Sequence, residues 1–132
     1  MKLSSSDKCF ACGKNNECGL KLAFDVKEGN AVSHFSLDEK FQGWKGIAHG
    51  GVVATILDEA MAWALMSMGI KAVTVELSVK YRKPTPLNEN LITVGEVKSV
   101  NRKIFRAHSK ILNDEGMILA EASGVYMKLG VL

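Results

Sequence analysis

The sequence has little of what would send a protein across a membrane, into one, or onto nucleic acid. In 132 residues no apolar run reaches the length of about 18 needed to span a bilayer. The opening stretch, Met1 to Lys8, is polar and holds no hydrophobic signal region. A cytoplasmic location and no membrane partner are therefore expected. Cysteine is sparse and odd in number, with three residues, which argues against a disulfide framework. Charge of one sign is weak: 17 Lys+Arg against 14 Asp+Glu leaves +3. That bias suits an anionic ligand but falls short of the basic footprint of a nucleic-acid domain, so no nucleic acid is expected. Low-complexity tracts, like-charge blocks and internal repeats are missing as well.

What is present is the composition of an ordinary globular domain, 47% hydrophobic and 23% charged. One domain of this length buries roughly two-thirds of the surface its unfolded chain exposes, so it needs neither disulfide nor metal to fold. Residues 1–19 have little apolar periodicity and hold Cys9, Cys12 and Cys18, and read as an N-terminal extension. Residues 20–132 read as the single domain. Leu20 to Lys27 alternates and predicts a strand, Glu28-Gly29-Asn30 a turn, and Ala31 to Leu37 a second strand. From Val52 to Met68 apolar residues recur at helical spacing (Val53, Ile56, Leu57, Ala60, Met61, Ala64, Leu65 and Met68), and Gly69 is a natural stop. Val73 to Lys83 alternates and predicts a half-buried strand ended by Pro84 and Pro86. Leu91 to Lys98, Lys103 to Leu112 and Met117 to Lys128 predict three more strands. The order β-β-α-β-β-β-β is an α+β arrangement, one long helix packed on one antiparallel sheet. With no β-α-β alternation, a doubly wound parallel sheet is excluded.

The chemistry concentrates around the helix start, Ile47-Ala48-His49-Gly50-Gly51. Glycine admits close approach of a ligand to the backbone, and the first amides of a helix lack internal partners at the positive end of the dipole. Such amides favour a carbonyl oxygen gaining negative charge; the alternative is that the glycines only make a tight turn into the helix. Asp58 and Glu59 follow two turns on. On a helical wheel Glu59 lies opposite the apolar stripe, as an ordinary solvated residue, whereas Asp58 lies on its flank, where ionisation and reactivity are tunable. Gly50 and Asp58 are eight residues apart, about 12 Å along the axis. A donor and a reactive carboxylate must both come within about 3 Å of the reacting centre. If the segment is catalytic, two chains with antiparallel helices must share the site, and the protein is at least a dimer.

Phe41-Gln42-Gly43-Trp44-Lys45-Gly46-Ile47-Ala48-His49-Gly50-Gly51, with Asp58-Glu59-Ala60 in the helix behind it, resembles the hotdog-fold acyl-CoA thioesterases, in particular the branch related to the phenylacetate-pathway thioesterase. Thr74 to Pro84 and the opening Cys9-Phe10-Ala11-Cys12-Gly13 with Gly19-Leu20 share the likeness, which covers about residues 9–128. The resemblance implies a long helix wrapped by an antiparallel sheet, and subunits paired edge to edge as a homodimer, often a dimer of dimers. It implies the Gly50 amide as oxyanion donor and Asp58 of the partner subunit as general base or nucleophile. The family's polar residue before the glycine pair falls at Gly43 here, with Gln42 one position earlier. Thr74 falls where some members hold the water. The substrate would be an acyl-CoA, with CoA as part of the substrate and no separate cofactor.

Around this core stand weaker signals. His49 can polarise the carbonyl or serve as a packed structural residue. Lys80, Arg82, Arg102 and Lys103 can hold the phosphates of CoA or form a solvated face. Trp44 and Phe41 can line an acyl pocket, and Trp63, off the main stripe, points to a second buried face or a subunit contact. Cys9-x2-Cys12-x5-Cys18 suggests zinc, but a closed site needs four ligands and no His lies close in sequence, so no metal is expected. Competing functions are a hydratase or dehydratase using His49 and Asp58 as an acid–base pair, a non-catalytic acyl-CoA binding module, and a small zinc nucleic-acid module.

Overall fold

Helix formation starts with the cap. In a computed structural model that describes residues 3, 4 and 6–131, α1 spans Gly50–Met66. It begins two residues earlier than the apolar periodicity predicts. His49 is extended (ψ 136°) and its Nδ1 accepts the Gly51 N–H at 2.9 Å. The cap satisfies a first-turn donor, so the helix includes both glycines. At the other end Gly69 turns the chain at φ +77°, in the left-handed region where glycine costs nothing. Val53, Ile56, Leu57, Ala60, Met61, Ala64 and Leu65 are all buried, as the stripe requires. Each large member contributes about 1.5–3 kcal/mol by leaving water.

Among the described residues six strands form the sheet: β1 (Asp25–Lys27), β2 (Asn30–Phe35), β3 (Ile70–Tyr81), β4 (Leu91–Asn101), β5 (Ile104–Asn113) and β6 (Ile118–Val131). Their spatial order is β1-β2-β4-β5-β6-β3, every pair antiparallel. The helix lies across one face, held at its middle by close backbone approach. A Cβ at Gly95 of β4 would lie 2.2 Å from the Ala60 carbonyl oxygen, so only glycine fits there. Beside it the Ser109 hydroxyl of β5 donates to the Leu57 carbonyl at 2.8 Å. The expected element order, one helix wrapped by an antiparallel sheet, is the one observed.

Two expectations are corrected. The strand predicted over Leu20 to Lys27 survives only as Asp25–Lys27. Lys21 takes φ +53°, which breaks the extended run, and the Leu20 and Leu22 amides donate to the Phe10 and Ala11 carbonyls at 2.9 Å instead of joining the sheet. The second correction concerns β3. Its alternation predicts one buried face, yet Val73, Val75 and Tyr81 are exposed in the single chain. Being last in the order, β3 pairs on one side only, with β6, and a register shift between Thr74 and Glu76 disturbs its alternation.

Candidate active site

The helix start presents its amides unevenly. Val52 and Val53 donate to the His49 carbonyl at 2.9 and 3.0 Å, and Gly51 donates to the His49 imidazole. Among the described residues the Gly50 N–H has no acceptor. Next to it, the peptide joining Gly50 and Gly51 is held at both ends. Its N–H meets His49, and its carbonyl accepts the Tyr81 hydroxyl at 2.6 Å. His49 is therefore a cap in this chain, and its Nδ1 is an acceptor. The loop before it closes on itself: Gly43 and Ile47 share a 2.9 Å backbone bond, and Gln42 Oε1 accepts the Gly46 N–H at 3.2 Å. Gln42 thus stabilises the loop leading to the glycines, and Gly43 packs against His49.

Two turns along, Asp58 Oδ1 accepts two hydroxyls, Thr74 of β3 at 2.9 Å and Tyr126 of β6 at 2.6 Å. Its Oδ2 has no partner among the described residues. Thr74 and Asp58, assigned separately by the family resemblance, meet within one chain. Tyr126 was not foreseen. Its side chain is 1% exposed, and burial, the Asp58 charge and its own donation to Asp58 push the phenol well above its usual range. It remains neutral, as a donor must. A signal existed: Ala120, Ala122, Gly124 and Tyr126 share one face of β6 at strand period, and a buried tyrosine needs a partner for its hydroxyl. Tyr81 was likewise missed as a support for Gly50.

Glu59 contradicts its expectation as a solvated residue. The N-terminal extension covers it, and Cys9 Sγ lies 3.9 Å from its Oε2. Burial and the adjacent Asp58 charge raise its pKa above the ordinary carboxylate value. Cys12, in the same cluster, is pushed up to about 12, first by burial and then by its contact with Cys9 and the charge of Glu59. Trp63 stacks on Phe24 within the chain, with ring centroids 5.8 Å apart. Phe41 is buried in the core while Trp44 is 83% exposed, so they line no common pocket within this chain.

The remaining candidates are spread out. His49 and Asp58 stand nine residues apart on and beside α1, too far for an acid–base pair within one chain. Arg82 pairs with Glu121 at 3.1 Å beside Tyr81 and the helix start. Arg102 and Lys103 sit at the β4–β5 turn, and the Lys103 carbonyl accepts from Lys128, which pairs with Ala72. The eight steps from Ala72 to Lys80 span roughly 26 Å of strand, so the two basic pairs occupy opposite ends of the sheet. A concavity of about 620 Å³ that includes Lys80, Glu121 and His108 lies on the outer face of the sheet, away from Asp58.

Known proteins share this fold. The sequence profile of the thioesterase superfamily matches residues 45–120, more than half of the chain. The acyl-coenzyme A thioesterase THEM4 of Mus musculus is 32% identical over 109 residues, which are 82% of this chain and 47% of that protein. The chain thus spans about half the length of this curated relative. A crystal structure of a thioesterase superfamily protein superposes with a TM-score of 0.84 at 27% identity, covering 89% of this chain and 61% of that one. A hypothetical thioesterase from Streptococcus pneumoniae, solved with coenzyme A, superposes at 0.80 with 24% identity, covering 83% and 90%.

Proposed function

The chain belongs to the thioesterase superfamily, and on that footing we propose that it hydrolyses acyl-CoA thioesters to free acid and CoA. The observation that carries the reading is the state of Asp58. Two hydroxyls occupy Oδ1 and leave Oδ2 open, on the same helix whose first amide, Gly50, is unbonded. Two turns of helix separate these groups, so one active site takes Gly50 from one protomer and Asp58 from its partner. The exposed apolar residues of β3, at the edge of the sheet, suit such pairing. Homodimers, and dimers of dimers, follow as the proposed assembly.

In this site the Gly50 amide, at the positive end of α1, receives the oxyanion formed at the thioester carbonyl. The Thr74 hydroxyl spends its hydrogen on Asp58 and keeps lone pairs to receive a water. That water sits within reach of Asp58 Oδ2, which takes its proton as general base while oxygen attacks the carbonyl carbon. The tetrahedral intermediate collapses, the carbon–sulfur bond breaks, and CoA leaves as thiolate. The arrangement that brings Gly50 of one chain to Asp58 of the other also brings the Lys80–Arg82 end of one sheet toward the Arg102–Lys103 end of its partner, and these four cations are the proposed phosphate contacts. The relative named an acyl-coenzyme A thioesterase and the fold neighbour solved with coenzyme A support this substrate class. Residues 20–132 form the catalytic domain in this reading and residues 1–19 an extension laid against it. No helix of the described residues is long and apolar enough to cross a membrane, and the cytoplasm is the proposed location.

Thiol release from a panel of acyl-CoA esters tests the activity, with enoyl-CoA hydration followed in parallel. Asp58→Ala is expected to lower thiol release by about 10²–10⁴ with the dimer retained. Most of the wild-type rate surviving in Asp58→Ala, or hydration outpacing hydrolysis, overturns the proposal. A single turnover in ¹⁸O-water tests the nucleophile alternative: label in Asp58 requires an acyl–Asp58 anhydride opened at the Asp58 carbonyl, whereas the general base puts label in the acid alone.

A further inference from the structure

The N-terminal turn and the helix meet at a cluster that the thioesterase reading does not use. Cys9 Sγ, Cys12 Sγ and a Glu59 carboxylate oxygen all lie within 4.8 Å of one another, each residue half-buried. The sequence shows the Cys-x2-Cys spacing but not the third group, because Glu59 is 47 residues beyond Cys12 and reads as solvated on the helical wheel.

We propose that Cys9, Cys12 and Glu59 form a zinc site that fastens the N-terminal extension to α1. The donor set is two sulfurs and one carboxylate oxygen, a mixture that suits a borderline-soft divalent cation and is foreign to Mg²⁺ or Ca²⁺. The distances fit. Two sulfurs each about 2.3 Å from a tetrahedral zinc stand about 3.8 Å apart, and a sulfur and a carboxylate oxygen about 3.5 Å. The observed Cys9 Sγ to Glu59 Oε2 distance is 3.9 Å. Small rotations of the side chains complete three corners, and water takes the fourth.

The turn itself is built as a ligand turn. The Cys12 N–H points at Cys9 Sγ, 3.4 Å away, and the Gly13 N–H closes on the Cys9 carbonyl at 2.9 Å. An amide aimed at sulfur stabilises the thiolate that a metal requires. A Cβ at Gly13 would lie 2.4 Å from the Cys9 nitrogen and 2.5 Å from the Asp7 carbonyl, so the tight turn depends on this glycine. The outer shell is present too. The Trp63 indole nitrogen is buried without a hydrogen-bond partner and faces Glu59 and Cys12. Glu59 adjoins Asp58 but points about 100° away around the helix. The metal therefore steadies the turn of α1 that carries Asp58 without entering the reaction.

The test uses the full chain, reduced and stripped with a chelator, then titrated with Zn²⁺ against a chromophoric competitor. One zinc per chain is expected, with a raised melting temperature. Bound zinc should shield Cys9 and Cys12 from a thiol reagent and leave the exposed Cys18 reactive, so that one thiol of three reacts. Cys12→Ser and Glu59→Gln should each weaken zinc by at least about 10-fold. Co²⁺ on the wild type should show thiolate-to-cobalt charge-transfer bands and the d–d bands of a tetrahedral centre, a readout independent of whether the variants fold. Overturning results are no stoichiometric zinc, zinc binding unchanged in Cys12→Ser, cobalt spectra without thiolate bands, or all three thiols reacting in the zinc-loaded protein.

Discussion

Tyr126→Phe isolates the contact on which the Asp58 geometry depends. The change removes one oxygen and keeps the ring that fills the core against Met61 and Gly124. The lost hydroxyl donates to Asp58 Oδ1 at 2.6 Å and approaches the Asp58 carbonyl at 3.3 Å. A hydrogen bond to a charged group contributes about 1.5–3 kcal/mol. For a chain of this size a loss near 2 kcal/mol lowers the melting temperature by roughly 7 °C. The pH dependence carries a sign of its own. The folded pKa of Tyr126 is raised, so the folded state holds a proton that the unfolded tyrosine releases above its ordinary pKa of about 10. The Tyr126 contribution is whole below that pH. It declines as pH rises further, by up to about 1.4 kcal/mol per unit. Urea unfolding from pH 8 to 11 should therefore show wild type more stable than Tyr126→Phe, with the gap narrowing above pH 10. Thiol release should fall in kcat with KM nearly unchanged, since Asp58 loses one of its two anchors while the acyl-CoA contacts stay. Equal stability of the two proteins at pH 8, or a gap that widens at alkaline pH, refutes the reasoning.

Three further outcomes follow from the same geometry. His49→Ala removes the cap on Gly51 and should cost about 1 kcal/mol in denaturant unfolding, largely recovered in His49→Ser; an unchanged midpoint in the alanine variant would deny the capping role. Gly95→Ala drives a methyl against the Ala60 carbonyl and should destabilise by about 1–3 kcal/mol, read as a lower melting temperature, whereas an unshifted melt would mean the helix does not lie so close. Tyr81→Phe frees the Gly50 carbonyl from its hydroxyl partner and should slow hydrolysis by roughly tenfold, the equivalent of about 1.4 kcal/mol, with little change in stability because Tyr81 is exposed. A wild-type rate in Tyr81→Phe would remove it from the support of the Gly50 peptide.

Much of the fold was legible because it rests on period. The stripe from Val53 to Leu65 repeats at helical spacing and is buried residue for residue, and the strands after it alternate. The sites of failure have physical causes. Leu20 to Phe24 alternates like a strand, yet Lys21 turns to positive φ and the segment bonds to Phe10 and Ala11, a partner no local pattern names. Glu59 reads as solvated because a helical wheel knows one helix only; the side opposite the sheet is covered by the turn that holds Cys9 and Cys12. Of the candidate site, Gly50, Asp58 and Thr74 were reachable through motif and resemblance. Tyr126 and Tyr81 were not singled out, because a tyrosine on an alternating strand looks like packing until its hydroxyl is seen to have a charged or carbonyl partner.

The sequence by itself determined the elements, their order and the helix that carries Gly50 at its tip and Asp58 two turns along, since these follow from spacing along one chain. Only the tertiary structure decided which hydroxyls reach Asp58, that β3 lies at an edge, and that two cysteines and a glutamate 47 residues away share one corner. Those are meetings between segments distant in sequence. Their geometry is set by how the sheet closes over the helix, a property of the packed whole that no single window of residues contains.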